Sequence, residues 1–425
     1  MMSFSTLNEW LEFQQGINPK EIDLSLERVK TVFERLQINI PEKNVFLIGG
    51  TNGKGTTTSI LEQLFHKSGY KTGAFTSPHL TQYNERVRIN LNDSSDKDWI
   101  SAFEIIENVR GDIPLTYFEF SALAAFQMLS NCDCDAWFIE VGLGGRLDAT
   151  NIIESSVSLL TSIAMDHEEW LGDSIEKIAT EKVGIAKMNR PLIFGDVVAV
   201  DEIEKGCFEK GAELRRKEHD FKGFVNQNHF FFKGVSQKIN DIFIPKSWGD
   251  GEIDNLTTAL AAMEANEEFF PSNNLLQEVL DEFNLPGRFE ILDMGQKWIL
   301  DVAHNPSAAN NLRQRIDRSN IHSDCAMIFS MMKDKQLELY LNAFKDLIHT
   351  WIICEMETER SFKVEKIKNE MSKMGIENVY SATSPLDAIK TLEKNASISN
   401  NVIVSGSFEL VGPIREFLLN SQGRL

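Results

Sequence analysis

No run in the sequence approaches the ~18 uninterrupted apolar residues of a membrane span, and this excludes a helical membrane protein. Met1 to Lys20 carries acidic and polar residues where a signal peptide would be apolar, so the expected address is the cytoplasm. Cysteine is scarce. The five present include a Cys132-Asp133-Cys134 pair but no CxxC or zinc-knuckle spacing, which points to reduced thiols rather than a disulfide framework or structural zinc. Positive charge is also short: 43 Lys and Arg against 63 Asp and Glu leave a net charge of −20, which argues against sequence-independent nucleic-acid binding. Any anionic ligand must therefore be met by local groups. Internal repeats, low-complexity linkers, a GxSxG elbow and a Cys–His nucleophile signature are all missing as well.

What the chain does have is the composition of a soluble globular protein, 42% hydrophobic and 25% charged. Its 425 residues exceed what one hydrophobic core serves, so two domains are expected. Phe46 to Ile48 reads as a short strand, and Thr57 to Tyr70 carries Ile60, Leu61, Leu64 and Phe65 at helical spacing. Further apolar runs at Phe75 to Ser77, Ala136 to Glu140 and Ser158 to Asp166 alternate with helical patterns. This predicts an α/β fold with a doubly wound, mostly parallel sheet whose ligands gather at the carboxyl ends of the strands. After Pro286 the pattern restarts with a hairpin around Met294-Gly295, a helix from about Ser307, and apolar runs at Ala326 to Phe329, Trp351 to Cys354 and Val402 to Val404. The boundary is placed near Leu285, giving an N-terminal domain, 1–285, and a smaller Rossmann-like α/β domain, 286–425. The polar stretch Lys205 to Lys246 reads as a β-rich excursion from the first domain.

Between the first strand and helix lies LIGGTNGKGTTTS, Leu47 to Ser59. It departs from the Walker loop, because three residues rather than four separate Gly49 from Gly53, and Gly55 stands between Lys54 and Thr56. A glycine-rich turn alone could be a structural connection. Three glycines around a lysine at a helix N-terminus are nevertheless costly unless the backbone must approach an anion, so nucleotide phosphate is the favoured ligand.

The string GTNGKGT resembles the ATP-binding loop of the Mur ligase superfamily, and within it the folylpolyglutamate synthase and dihydrofolate synthase family. The resemblance recurs, in the family's order, in TSPHLTQYNERVRI, GDIPLTYFEF, IEVGLGGRLDATN, SIAMDHEEWLG, TEKVGIAK, PGRFEIL, ILDVAHNP and SGSF. It implies a P-loop enzyme that moves the γ-phosphoryl of ATP to a carboxylate and lets the amine of L-glutamate attack the acyl phosphate. The implied acids are dihydropteroate and tetrahydrofolate derivatives, whose polyglutamates are built in folate biosynthesis. Asn52, Gly53, Lys54, Gly55 and Thr56 would hold ATP, together with Asn255, Arg288 and Asp301. His304 would lie near its phosphates, with ATP between the two domains. No covalent enzyme nucleophile is needed, and the enzyme is expected to act as a monomer.

Hard Mg²⁺ prefers oxygen ligands and is held by few protein groups plus phosphate. Ser77, Glu140 and His167 lie at or beyond predicted strand ends, and by resemblance they bind magnesium, two ions in all, with Thr56 placed for the P-loop metal. Nitrogen is a poor Mg²⁺ ligand, so His167 rests on the family's DH motif alone. Asp173 and Glu176 form a D-x-x-E pattern that predicts a capped helix through about Ala186. Lys182 falls seven after Ile175, on its buried stripe, where a lysine either snorkels or is desolvated with a lowered pKa. The resemblance implies a carbamylated lysine at Lys182, whose carboxylate helps hold the second metal or the acyl phosphate.

By the same resemblance, Asp23, Leu24 and Ser25, with Thr116, Leu147, Asp148 and Ala149, line the pterin site. Ser25 replaces the glycine of the family's usual DLG, a departure in that segment. The alternatives are buried core aromatics for Thr116 to Phe120, a surface ion pair for Arg146 to Asp148, and a capped strand-to-helix turn for Asn305-Pro306-Ser307. Three competing functions stand beside the bifunctional reading: a folylpolyglutamate synthase alone, another Mur-type amino-acid ligase, and an ATP-gated scaffold without catalysis. Because the loop begins at Gly49, no separate N-terminal nucleotide-sugar domain is expected, which disfavours the second. Intact Lys54, Glu140, His167, Lys182 and Asp301 disfavour the third.

Overall fold

Parallel strands buried on both faces need continuous apolar runs, and VFLIG and AWFIE supply two that are buried at every position. The computed structural model describes residues 4–18, 20, 23–321, 325–395 and 400–422. The chain divides into two compact units. The first comprises Met1–Ala164, Trp170–Ile244 and Glu252–Phe283, and the second Met165–Glu169, Pro245–Gly251 and Asn284–Leu425.

The first unit is built on an eight-stranded sheet of β1 (Val45–Gly49), β2 (Thr72–Phe75), β3 (Val87–Ile89), β4 (Asn92–Asp93), β5 (Ala136–Glu140), β6 (Val157–Leu160), β7 (Pro191–Phe194) and β8 (Glu213–Arg216). Their order is β4-β3-β2-β5-β1-β6-β7-β8, parallel from β2 to β8 with β3 and β4 antiparallel at one edge. β1 lies between β5 and β6, with Ile48 opposite Glu140 and Gly49 opposite Leu160. The glycine loop therefore leaves the sheet beside the last residue of β5. Phe46 and Phe138 stack across this pair with ring centroids 5.3 Å apart, and Phe65 from the helix Lys54–Lys67 packs edge-on against both. Burial of each such ring stabilises the sheet centre by about 1.5–3 kcal/mol. A separate antiparallel sheet, β9 (Lys222–Asn226), β10 (His229–Lys233) and β11 (Lys238–Phe243), buries Phe230, Phe232, Ile239 and Ile242 on one face.

The second unit carries β12 (Arg288–Asp293), β13 (Lys297–Asp301), β14 (Cys325–Phe329), β15 (Ile348–Cys354), β16 (Val379–Ala382) and β17 (Asn401–Ser405) in the order β12-β13-β17-β14-β15-β16. β12 and β13 form the antiparallel hairpin and the rest are parallel. Both units are thus α/β with mostly parallel sheets.

Several elements differ from their expected bounds. The first helix of the loop motif begins at Lys54, not Thr57, because Gly53 at φ +87° turns directly into it. The run Ser158 to Asp166 is strand only to Leu160; Thr161 and Ser162 leave the sheet to bind the glycine loop. The cap of the lysine helix is Ser174, whose side chain accepts from Lys177 N, while Asp173 instead pairs with the Lys177 ammonium. That helix is Ile175–Lys182 and tightens into a 3-10 turn, Val183–Ile185, rather than running on. Lys205 to Lys246 starts inside a helix, Val200–Lys210, and β8 joins the main sheet, so only β9 to β11 form the excursion. β16, exposed at Tyr380 and Ser381, escaped the apolar-run reading.

Candidate active site

The glycine loop is bolted to the segment after β6. Thr51 N donates to Ser162 O at 2.7 Å, Asn52 N to Ser162 Oγ at 3.0 Å, and Thr161 Oγ1 to Asn52 O at 2.6 Å. These bonds impose backbone that only glycine tolerates. Gly50 sits at φ +134°, where a Cβ would lie 2.0 Å from Thr161 Oγ1; Gly53 sits at φ +87°, where a Cβ would lie 2.1 Å from Asn255 Oδ1. Asn255, buried in the helix Asp250–Asn266, thus rests on the glycine that starts the Lys54–Lys67 helix. No side chain caps that helix. Its first N–H groups and dipole are oriented to meet an anion.

Two ammonium groups converge beneath the loop. Lys54 Nζ donates to Gly50 O and Thr51 O, each at 3.2 Å, and Lys182 Nζ donates to the same Gly50 O at 2.9 Å. Lys182 is 4% exposed, so the apolar stripe does bury it, and its tip reaches the loop rather than solvent.

Glu140, buried at the end of β5, accepts from Ser77 N through Oε2 at 3.3 Å. The same oxygen lies 3.8 Å from where a Cβ on Gly55 would be, so the carboxylate sits over the loop next to Thr56. A hydroxyl, a carboxylate and a second hydroxyl are oxygen donors suited to Mg²⁺. Among the described residues no group of three or more His, Cys, Asp and Glu could hold a metal ion. His167 belongs to the segment Met165–Glu169 of the second unit, at φ +52°. Its backbone N–H donates to Asp166 Oδ1 at 2.9 Å.

The residues expected around the acid substrate fall into two clusters. Thr116 caps the helix Tyr117–Asn131 in a reciprocal box with Glu119. Arg28 joins that cap to the Asp23–Ser25 segment, donating from Nε to Glu119 Oε2 at 2.9 Å and from NH2 to Asp23 O at 2.6 Å. Asp148 is buried and accepts from Leu143 N and from Thr150 N and Oγ1. Burial pushes its carboxyl up, and those hydrogen bonds hold part of the shift back. Leu147 is half-buried and Ala149 buried beside it. Arg146 pairs with Glu181 at 2.8 Å, not with Asp148, which corrects the ion pair expected within Arg146 to Asp148.

In the second unit Asp301 ends β13, accepting from Phe289 N and Ala303 N, both at 2.8 Å. Arg288 faces Asp301 in register, and its guanidinium lies 4.9 Å from the centroid of Phe408. Asn305 caps the helix Pro306–Arg318, so the capped-turn reading of this segment holds. Its amide also donates to Asp166 Oδ2 at 3.1 Å, while His304 Nε2 lies 3.5 Å from that oxygen and Lys335 Nζ donates to Asp166 Oδ1 at 2.5 Å. Burial would raise the Asp166 carboxyl, but the His304 contact and the charges of His167, His304 and Lys335 outweigh it and hold the group well below the usual carboxylate range. Asp166 and Lys335 were not singled out from sequence. Asp166 adjoins His167 in the DH pair and could have been; Lys335 follows β14 in a polar loop with no periodic signal.

A family model described as the glutamate ligase domain of Mur ligases matches residues 287–408. The chain is 35% identical over 414 residues to the dihydrofolate synthase/folylpolyglutamate synthase of Escherichia coli (strain K12), covering 97% of this chain and 96% of that protein. It is 34% identical to the protein of the same name from Haemophilus influenzae, with 96% of each covered. The structure of E. coli FolC in complex with DHPP and ADP superposes with a TM-score of 0.93 at 34% identity, covering 99% of this chain and all (100%) of that one. The bifunctional folylpolyglutamate synthase/dihydrofolate synthase of Yersinia pestis, complexed with AMPPNP and Mn ion, gives 0.90 at 33% identity, with 99% and 100% covered. With kinship over the whole length in both sequence and fold, the chain belongs to the dihydrofolate synthase/folylpolyglutamate synthase family.

Proposed function

We propose that this protein is an ATP-dependent ligase that adds L-glutamate to dihydropteroate and to reduced folates through an acyl phosphate. The observation that carries the reading is the uncapped helix start at Gly53 with Lys54 and Lys182 on one loop carbonyl, in a chain whose relatives bind ADP, AMPPNP and, in E. coli, DHPP. Asn52 to Thr56, Asn255, Arg288 and Asp301 would meet the nucleotide, with His304 near its phosphates. The pterin would be held by Asp23 to Ser25, Thr116 and Leu147 to Ala149.

A carboxylate is inert to amines because oxide is a poor leaving group. Attack of a carboxylate oxygen on the γ-phosphorus releases ADP; attack of the glutamate amine on the acyl carbon then releases phosphate. Lys54 and Arg288 would balance the charge of the transferring phosphoryl group, so catalysis is mainly positioning and electrostatics. Mg²⁺ would be held by Ser77, Glu140 and His167, with Thr56 placed for the P-loop metal, and would neutralise phosphate oxygens. Two cationic amines sharing one buried carbonyl repel, and N-carboxylation of Lys182 would turn that repulsion into attraction; this supports the carbamate reading. All five cysteines are free, as suits a reducing cytoplasm.

A coupled ADP-release assay tests the proposal with dihydropteroate, tetrahydrofolate and a muramoyl nucleotide, each with and without glutamate. Turnover requiring glutamate with the first two is expected. Turnover with tetrahydrofolate alone reduces the activity to a folylpolyglutamate synthase, and turnover with the muramoyl nucleotide overturns the assignment.

A further inference from the structure

Arg86 is a buried arginine that no carboxylate among the described residues pairs with. It is 8% exposed, and among the described residues it forms no ion pair. Its neighbours in the first unit are treated differently: Arg28 has Asp23 and Glu119, Arg88 has Glu62, and Arg110 has Glu107. The carboxylate next to it in sequence, Glu85, is occupied by three backbone donors of its own loop, Leu80 N, Thr81 N and Gln82 N, at 2.6–2.8 Å. Arg86 Nε donates to His79 Nδ1 at 3.0 Å. A ring nitrogen that accepts carries no proton, so His79 offers no charge of either sign through that contact. The guanidinium carbon lies 5.0 Å from the Tyr83 centroid and 5.8 Å from that of Tyr117, so two rings stiffen the group. Tyr83 is fixed in turn by its hydroxyl contact with Ser121. What results is a buried, rigid cation whose terminal NH₂ groups have no acceptor among the described residues. A buried charge costs several kcal/mol unless it is paired, and a guanidinium fork matches a carboxylate.

The position says which carboxylate. His79 stands two residues after Ser77, and Tyr117 follows Thr116, so Arg86 bridges the segment proposed for metal and the segment proposed for the acid substrate. Dihydropteroate brings one carboxylate, and it is consumed. A folate brings two on its terminal glutamate, of which only one reacts, so the second needs a cation of its own. We infer that Arg86 binds the non-reacting α-carboxylate of the folate substrate's terminal glutamate, and so serves glutamate addition to folates rather than to dihydropteroate. This rests on the ligase reading above.

The test compares kcat/KM for tetrahydrofolate with kcat/KM for dihydropteroate in the wild type, Arg86→Gln and Arg86→Lys. The folate-to-dihydropteroate ratio should fall roughly 10- to 100-fold in Arg86→Gln, mostly through KM, and less in Arg86→Lys. The wild-type enzyme is also offered tetrahydrofolate with its α-carboxylate converted to the carboxamide and its γ-carboxylate free. It should lose a similar factor, and Arg86→Gln should no longer tell acid from amide. An unchanged ratio, or an equal fall with both acids, assigns Arg86 to packing or to the common phosphoryl step and overturns the inference. Equal use of acid and amide by the wild type overturns it even if the variants do not fold. Wild-type enzyme that releases ADP with neither acid refutes the ligase reading instead.

Discussion

Replacing Lys182 by alanine should separate stability from activity in a way that depends on CO₂. Lys54 Nζ and Lys182 Nζ lie 3.2 Å and 2.9 Å from the same Gly50 oxygen. Two positive charges roughly 5 Å apart, at an effective dielectric constant of ~20, repel by about 3 kcal/mol. The hydrogen bond from Lys182 to Gly50 O returns about 1 kcal/mol of this. Relief of that repulsion should make Lys182→Ala less costly to stability in CO₂-free buffer than with bicarbonate present. With bicarbonate present, a carbamate on Lys182 would attract Lys54 by a similar amount, and wild-type protein should melt a few degrees higher than in CO₂-free buffer. The variant should show no such difference. ADP release with dihydropteroate should drop by about 10²-fold or more in Lys182→Ala, and short carboxylates such as acetate should restore part of it. Melting curves and ADP release in paired buffers are the assays. Wild-type stability and rate that ignore CO₂, or a Lys182→Ala enzyme of undiminished rate, would refute the argument.

Other substitutions probe the site piece by piece. Lys54→Ala should lower kcat by about 10²-fold or more with an unaltered circular-dichroism spectrum, since its side chain bonds to loop carbonyls; normal turnover removes it from phosphoryl transfer. Glu140→Ala should raise the Mg²⁺ concentration for half-maximal ADP release, and an unchanged magnesium curve would take Glu140 out of the metal site. Gly53→Ala should cost about 2–4 kcal/mol by urea unfolding, from positive φ and the clash with Asn255 Oδ1, and adding Asn255→Ala should recover the steric part; simple additivity would contradict the contact. Burial and the charge of Arg86 lower the His79 pKa from 6.5 to about 4, with Glu85 opposing. The unfolded chain thus takes up a proton first as pH falls, and the stabilisation present above pH 6.5 should shrink by up to about 2 kcal/mol by pH 5. Wild type and His79→Gln losing equal stability over that range would show the imidazole is not held neutral.

The parallel strands were legible because burial on both faces writes itself as unbroken apolar runs, as at Ala136 to Glu140, and the two ends of the glycine loop because only glycine adopts the φ of Gly50 and Gly53. Lys182 was readable from helical spacing. β16 was not, because an edge strand facing solvent loses the apolar signature. Ser174 displaced Asp173 as the cap because a hydroxyl one residue later reaches Lys177 N, a choice made by backbone geometry rather than residue type. Asp166 with Lys335 and Arg86 with His79 bring together residues that periodicity does not link, so only the folded chain reveals them.

The most direct measurement of the central claim follows oxygen. With dihydropteroate labelled with ¹⁸O in its carboxylate, plus Mg-ATP and L-glutamate, an acyl phosphate places one label in inorganic phosphate for each dihydrofolate formed, with ADP as the other product. Labelled phosphate in that proportion is the result the account predicts. Dihydrofolate formed with unlabelled phosphate, or with labelled AMP and pyrophosphate in place of ADP and phosphate, would contradict it.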